Sequence, residues 1–341
     1  MNPKNLNVIK IPKSLKSKLS NKKIKRLYDT FEKNFSIQDA FAVAVSGGPD
    51  SLALAFLTKI YSIKYNLACK YYVIDHKLRR DSTIEAKKVK RILNRFGIKL
   101  EILSWNGKKP SKNIQSLARK KRYDLLISKC KQNKIYNLIT GHHLDDLFEN
   151  FFIRMTRGSG LKGLISFEKE TTFASINILR PLLDFEKKKL EFISSFVFNF
   201  FVKDPSNESN IFQRVRIRNI INEFKNNGLD KDKLFLTINN LKKSNKALNE
   251  YVQQNKELNS NLNYKNKELI LNENFFDQPY EVVFRSLSDS LKIIGEKYYS
   301  PRGKKIDYIL RKITKNTLKK ETLGGCVLKK VNRTIIISKE Y

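Results

Sequence analysis

The sequence predicts an α/β protein: a doubly wound parallel sheet, then a helical segment, then a small α+β C-terminal domain. Three observations carry that prediction. Short, continuously apolar runs alternate with helical stretches up to about residue 160, at spacings typical of βαβ units. A glycine-containing turn follows the first run, where a strand hands over to a helix. Beyond residue 160 the rhythm breaks, and Asn- and Lys-rich sequence replaces it. At 341 residues, with 40% apolar content, the chain suits two or three domains with real cores.

The elements follow in order. Residues 41–45, Phe-Ala-Val-Ala-Val, read as a strand buried on both faces. Leu52–Tyr61 reads as a helix that is apolar all round. Tyr71–Asp75 repeats the strand signal, and Ile84–Phe96 is a helix stopped by Gly97. Leu100–Trp105 is a third strand, Ile114–Gln132 an amphipathic helix, Tyr136–Thr140 a fourth strand and Leu144–Met155 a further helix. Ile176–Leu183 reads as one more strand and Phe185–Phe198 as a helix. From Lys225 to Phe276, apolar residues at Leu234, Ile238, Leu241, Leu248 and Tyr251 predict one or two helices with a narrow stripe. Pro279–Tyr341 reads as two helices and a closing hairpin, with strands at Val327-Leu328 and Thr334–Ile337. The expected domains are a basic N-terminal extension or helix (1–37), a nucleotide-binding domain (38–222), a helical connector or arm (223–276) and a compact C-terminal domain (277–341).

Lys plus Arg number 68 against 33 Asp plus Glu, a formal net charge of +35. Such a surplus favours a polyanionic partner, nucleic acid first; biased composition is the plainer alternative. Three cysteines, Cys69, Cys130 and Cys326, are scattered with no C-x-x-C, which argues against a zinc ribbon, a dithiol or an iron–sulfur cluster. It also fits a reducing cytoplasm. No run reaches the ~20 apolar residues that span a bilayer, so no membrane role is expected. The first 26 residues hold no Asp or Glu and read as a frayed basic arm.

Two motifs carry chemistry, each beginning where a predicted strand ends, the edge at which open α/β sheets bind ligands. The first is Ser46-Gly47-Gly48-Pro49-Asp50-Ser51. Its glycines permit a tight turn and close approach, and the amides at the helix start face outward to an anion. Ser46 and Ser51 hydroxyls can add donors. Asp50 would repel bare phosphate, so it suits a bridging Mg²⁺. G-K-[ST] is absent, so this is not a Walker A loop.

The second is Gly141-His142-His143-Leu144-Asp145-Asp146-Leu147-Phe148-Glu149. His142, Asp146 and Glu149, spaced four and three apart, would share one helix face. Asp145, at another angle, could bind metal or cap the helix. A zinc site of H-E-x-x-H type fails on spacing. A structural cap explains the acids but not the histidine pair. A site that binds a cation and positions a nucleophile explains both.

The loop resembles that of the ATP pyrophosphatases, and the chain as a whole resembles the tRNA(Ile)-lysidine synthases. The likeness covers residues 38–222. It runs through Ser46–Ser51, Ile74-Asp75-His76-Lys77-Leu78-Arg79, and Asn113-Ile114-Gln115-Ser116-Leu117-Ala118-Arg119 with Arg122-Tyr123. It continues through Thr140–Glu149, Arg157–Leu164, Arg180-Pro181-Leu182-Leu183, Asp204-Pro205-Ser206-Asn207 and Arg214, Arg216 and Arg218. The resemblance implies a sheet of the adenine nucleotide α-hydrolase (PP-loop ATPase) type. It implies ATP-driven modification of the wobble cytidine of an isoleucine tRNA with a CAU anticodon. The base O2 attacks the α-phosphorus, magnesium pyrophosphate leaves, and the ε-amine of free L-lysine then displaces AMP. Carried over, Ser46, Gly47, Gly48, Pro49, Asp50 and Ser51 bind ATP, with Asp50 and Asp145 as metal candidates. Asp50, His142, Asp146, Glu149, Arg119 and Arg214 become the catalytic set. A homodimer is also suggested, and the segment after residue 277 is similar to a tRNA-binding domain of some members. Leu147, Asn150 and Val215 depart from the family pattern. A 2-thiocytidine synthase shares the loop but needs cysteines to carry sulfur or a cluster, and none is suitably paired here. A non-catalytic tRNA-binding protein would have no reason to keep six converging polar groups.

Overall fold

The computed structural model describes residues 12–78, 81–107, 114–202, 213–263, 268–297 and 300–340. The first eleven residues, Arg79, Asn113, the Asp204–Asn207 motif and Tyr299 lie outside the described residues, as do the side chains of Gln115 and Ser116. The chain divides into two compact units, Met1–Leu229 and Asp230–Tyr341. Among the described residues, no helix is long and apolar enough to cross a membrane.

The first unit opens with helices α1 (Lys13–Leu19) and α2 (Lys22–Lys33), within the expected extension or helix of residues 1–37, whose first 26 residues read from sequence as a frayed arm. Asn21 caps α2 by accepting the N–H groups of Lys23 and Ile24 at 3.0 and 3.2 Å, and Ile24, Tyr28 and Phe31 anchor its inner face. Then come β1 (Phe41–Ala44), α3 (Pro49–Lys64), β2 (Cys69–Asp75), α4 (Ser82–Asn94), β3 (Leu100–Ser104), α5 (Ile114–Gln132), β4 (Asn137–Ile139) and α6 (Leu144–Met155). A short helix α7 (Leu161–Leu164) leads into β5 (Glu170–Phe173) and β6 (Ile176–Leu179), followed by α8 (Lys187–Phe198) and α9 (Gln213–Asn226).

The sheet order is β3-β2-β1-β4-β6-β5. All neighbours are parallel except the β5–β6 pair, which makes an antiparallel edge. Strand alternation divides the core. Phe41, Val43, Tyr71 and Val73 face α2, α3, α4 and α8, whereas Ala42, Tyr72, Leu138 and Ile176 face α5. Helices therefore cover both faces, as a doubly wound sheet requires. Chain order runs outward from β1 through β2 to β3, then jumps to β4 on the other flank of β1. The carboxyl ends of β1 and β4 thus form the topological switch point.

The second unit holds the long helix α10 (Lys231–Asn259), strands β7 (Ser260–Asn263) and β8 (Glu268–Leu271), helices α11 (Tyr280–Ile294) and α12 (Gly303–Thr314), and strands β9 (Lys320–Leu323), β10 (Cys326–Val331) and β11 (Thr334–Lys339). The strands make one antiparallel sheet, β7-β8-β11-β10-β9, packed on α11 and α12 through Leu287, Leu291, Ile306, Ile309, Leu328 and Ile337. The expected hairpin is β10–β11, turning at Asn332 with φ 52°. It is joined by β7, β8 and β9, which the sequence pattern does not announce.

Candidate active site

The Ser46–Ser51 loop leaves β1 and enters α3. Gly47 takes φ +87°, and a Cβ there would lie 2.7 Å from Val89 Cγ2 and 3.0 Å from Val202 Cγ2. Only glycine fits that conformation and space. Gly48 caps α3 and Pro49 is its first residue, where a missing N–H costs nothing and a fixed φ favours helix. The helix therefore starts ahead of the expected Leu52. Its first N–H groups without a helical acceptor, on Asp50 and Ser51, open toward the loop and offer an anion site.

Ser51 is placed differently from expectation. Its hydroxyl is buried and points into the loop, accepting Ser46 N–H at 3.0 Å and Gly47 N–H at 3.1 Å while donating to Gly48 O at 3.0 Å. It staples the turn from inside. Ser46, whose Oγ lies 3.1 Å from Ser51 Oγ, is the exposed serine of the pair, at the loop's outer rim.

The second motif leaves β4, the neighbour of β1. His142 and His143 precede α6, and His143 is its extended N-cap. Asp146 Oδ2 accepts the His143 N–H at 3.1 Å and so fixes the helix start there. The helical register linking His142 to Asp146 and Glu149 therefore does not hold, yet the loop still brings the first two together: Asp146 acts electrostatically on His142.

His143 is the junction of the two motifs. Its Nε2 lies 3.5 Å from Asp50 Oδ2 and 3.5 Å from Asp146 Oδ2, and its Nδ1 lies 3.8 Å from Asp145 Oδ2. Burial alone would depress its pKa, but the Asp50, Asp146 and Asp145 carboxylates outweigh burial and raise it. His142 behaves oppositely. Burial, with Arg180, Arg119 and Arg214 nearby, lowers its pKa to about 3, so it is neutral at physiological pH. Its Nδ1 lies 2.9 Å from Thr140 Oγ1, and its ring meets the Phe167 ring edge-on at 5.2 Å. The two adjacent histidines are thus shifted in opposite directions.

Glu149 is buried, with Oε1 accepting Arg218 Nε–H at 2.8 Å and Oε2 without a partner. Burial raises its pKa despite Arg218. Asp50 Oδ1 is likewise buried and unpartnered, which fits a carboxylate that binds a cation. Asp145 is otherwise engaged: its Oδ2 accepts the Lys187 backbone N–H at 3.1 Å and its Oδ1 lies 3.9 Å from Lys225 Nζ. Among the described residues, no three His, Cys, Asp or Glu side chains gather as a ready metal site. A hard cation here would need oxygens from a phosphate ligand, as Mg²⁺ commonly takes.

Arg119 and Arg214 both act on His142, and Arg214 also on Asp146 and Glu149. Arg180 joins them: it is buried, stacks 5.1 Å from the Phe167 ring and donates to Glu168 O at 2.9 Å. His143 and Arg180 lie within the motifs of the resemblance but outside the expected catalytic set. Their signal in the sequence is only adjacency to His142 and an arginine flanking a strand end. Of the departures from the family pattern, Leu147 and Val215 are buried packing positions on α6 and α9, and Asn150 Nδ2 is buried without a partner. Burial holds the thiols protonated, with Cys69 pushed up to about 12 and Cys130 and Cys326 to about 11.

Comparison with known proteins adds to this geometry. A PP-loop domain family model matches residues 17–224. The chain is 33% identical to the tRNA(Ile)-lysidine synthase of Wolbachia sp. subsp. Brugia malayi (strain TRS) over 309 residues, 88% of this chain and 70% of that protein. It is 34% identical to the tRNA(Ile)-lysidine synthase of Rickettsia akari (strain Hartford) over 92% of this chain and 74% of that protein. Among solved structures it shares its fold with the U34-tRNA thiolase NcsA from Methanococcus maripaludis, at a TM-score of 0.55 and 17% identity, over 65% of this chain and 78% of that one.

Proposed function

The chain belongs to the PP-loop family and to the tRNA(Ile)-lysidine synthases, and from that premise we infer how its residues divide the reaction. It is an ATP-dependent ligase that joins lysine to isoleucine tRNA. The observation that carries the residue-level reading is the meeting of two strand-end loops, which puts Asp50 3.5 Å from His143.

In this reading the amides at the start of α3 hold the β- and γ-phosphates, aligned with the helix dipole. The α-phosphate then lies toward the β4 loop, among the charges of Arg119, Arg214 and Arg180. The cytidine O2 attacks the α-phosphorus, the α–β bond breaks, and pyrophosphate leaves. A carbonyl oxygen is a weak nucleophile, so rate comes from alignment and from preorganised positive charge around the phosphate. Mg²⁺, where bound, would neutralise the outer phosphates, with Asp50 Oδ1 as its protein ligand. His143, 3.5 Å from Asp50, holds that carboxylate in place.

Lysine must lose a proton before its amine attacks C2 of the adenylated base and AMP departs. Glu149 has an unpartnered oxygen and a raised pKa, which suits a carboxylate that first binds the ammonium and then takes its proton. Neutral His142 offers a second acceptor. The substrate specificity we propose is the CAU-anticodon isoleucine tRNA. Incubation with ATP and labelled lysine tests it: label enters unmodified isoleucine tRNA and not methionine tRNA, and equal labelling of both would overturn it.

A further inference from the structure

We propose that the α1–α2 hairpin is a second RNA-binding surface, which docks the phosphate backbone of the tRNA beside the reacting base. This rests on the reading of the substrate as tRNA and adds where that substrate is gripped. From Lys13 to Lys33 the chain holds eight Lys or Arg and two acids, a denser positive surplus than the chain carries as a whole. One of the acids, Glu32, is already paired with Lys64 at 2.8 Å.

The geometry sorts these charges outward. On α2, Ile24, Tyr28 and Phe31 point into the core. At about 100° per residue, Lys22, Arg26 and Lys33 fall on the opposite face and Lys25 on its flank, and all four are exposed. Lys22 and Arg26 stand one turn apart, a like-charge spacing that disfavours an isolated helix. Neither α1 nor α2 has an acidic residue in its first turn, although the helix dipole favours one there. A face that is unfavourable on its own is relieved by a polyanion.

The hairpin is also fixed to the catalytic loop. Lys18 Nζ donates to Phe196 O at 3.0 Å, and Lys23 Nζ lies 4.0 Å from the Phe192 ring centre, so both helices are tied to α8. From α8, Ser194 Oγ donates to Pro49 O at 2.5 Å, the first residue of α3. One helix therefore separates the start of α2 from the phosphate loop, a spacing on the order of 10 Å. A nucleic acid with its reacting base over that loop has its neighbouring backbone within reach. An anionic bilayer is the rival partner for a basic amphipathic helix, but the apolar side of α2 is spent on the core and leaves nothing to insert.

The test replaces Lys22, Lys25, Arg26 and Lys33 together with Gln, and compares Lys87, Lys90, Lys99 and Lys131 replaced in the same way. Binding of an unmodified isoleucine tRNA transcript is measured across a salt series, with thermal melts to confirm folding and the single Arg26→Gln variant as a milder probe. The hairpin variant is expected to bind at least ~10-fold more weakly at low salt, with the log–log salt slope reduced by roughly 3. The control variant is expected to lose less than ~3-fold, since each scattered lysine contributes only weak, screened attraction. Three results would each overturn the proposal: unchanged affinity and slope in the hairpin variant, equal loss in the control, or equally tight binding of the wild type to phosphatidylserine–phosphatidylcholine vesicles. Lysine transfer by the wild type, measured on the same transcript, is a separate readout. Its absence would contradict the substrate reading, while the binding comparison still judges the surface.

Discussion

At the scale of single residues, the site is defined by opposite treatment of similar groups. His142 and His143 are neighbours, yet burial and nearby arginines lower the pKa of one while carboxylates raise that of the other. The His142 folded pKa, about 3, lies below its ordinary value of 6.5. A depressed folded pKa in a histidine kept neutral by burial means its contribution to stability is full above the ordinary value and drains as pH falls toward the folded one. Denaturant midpoints at neutral and at mildly acidic pH should therefore differ less in His142→Asn than in wild type; equal differences would place His142 in water. Glu149 is shifted the other way, raised by burial, so lysine transfer should decline as pH drops through that raised value. Glu149→Gln should slow lysine transfer by about 100-fold or more, the range of a lost general base, while pyrophosphate release from ATP changes less than ~10-fold. Rapid-quench measurement of the two steps checks it, and equal losses would remove Glu149 from lysine handling. These shifts are not legible in the sequence. They arise from groups distant along the chain, such as Asp50 with His143 or Arg180 with His142, that only folding brings together.

Among elements, the two strand-end loops are what the sequence displays most openly. Ser46–Ser51 uses residues whose backbone demands are local: glycine for φ +87°, proline for a helix start, serine for an internal staple. Ser51→Ala should leave the Ser46 and Gly47 N–H groups without their acceptor. That costs about 1–3 kcal/mol of stability and weakens ATP binding with it, as denaturant unfolding and nucleotide titration would register; a stable loop with normal ATP affinity would contradict the staple. Gly47→Ala should be worse, because its Cβ meets Val89 and Val202 besides needing a positive φ. The elements hardest to foresee have no periodic apolar signal. Strand β7 is Ser-Asn-Leu-Asn and β5 is Glu-Thr-Thr-Phe, each held by neighbours instead of by its own pattern. Helix α9 is hidden among its arginines, since of its buried residues Ile217 and Ile221 share a face while Val215 falls on another, and no single apolar stripe results.

Across the whole molecule, topology explains why chemistry collects where it does. The chain winds outward from β1 in one direction, returns on the other flank at β4, and leaves a cleft between the two strand ends. Helix α3 aims its positive end into that cleft, and Arg119, Arg180 and Arg214 add charge from further along the chain. A surplus of +35 should make tRNA binding fall steeply with salt. The expected loss is roughly 10³-fold or more between about 50 and 200 mM if six or more phosphates are engaged, and a flat response would contradict it. The proposed hold of the Ser46–Ser51 loop on the outer two phosphates, with the inner one left open to attack, is tested most directly by following nucleotide products during a single round of labelled lysine transfer to isoleucine tRNA. The expected result is one AMP and one pyrophosphate for each lysine incorporated; formation of ADP and inorganic phosphate instead would contradict it.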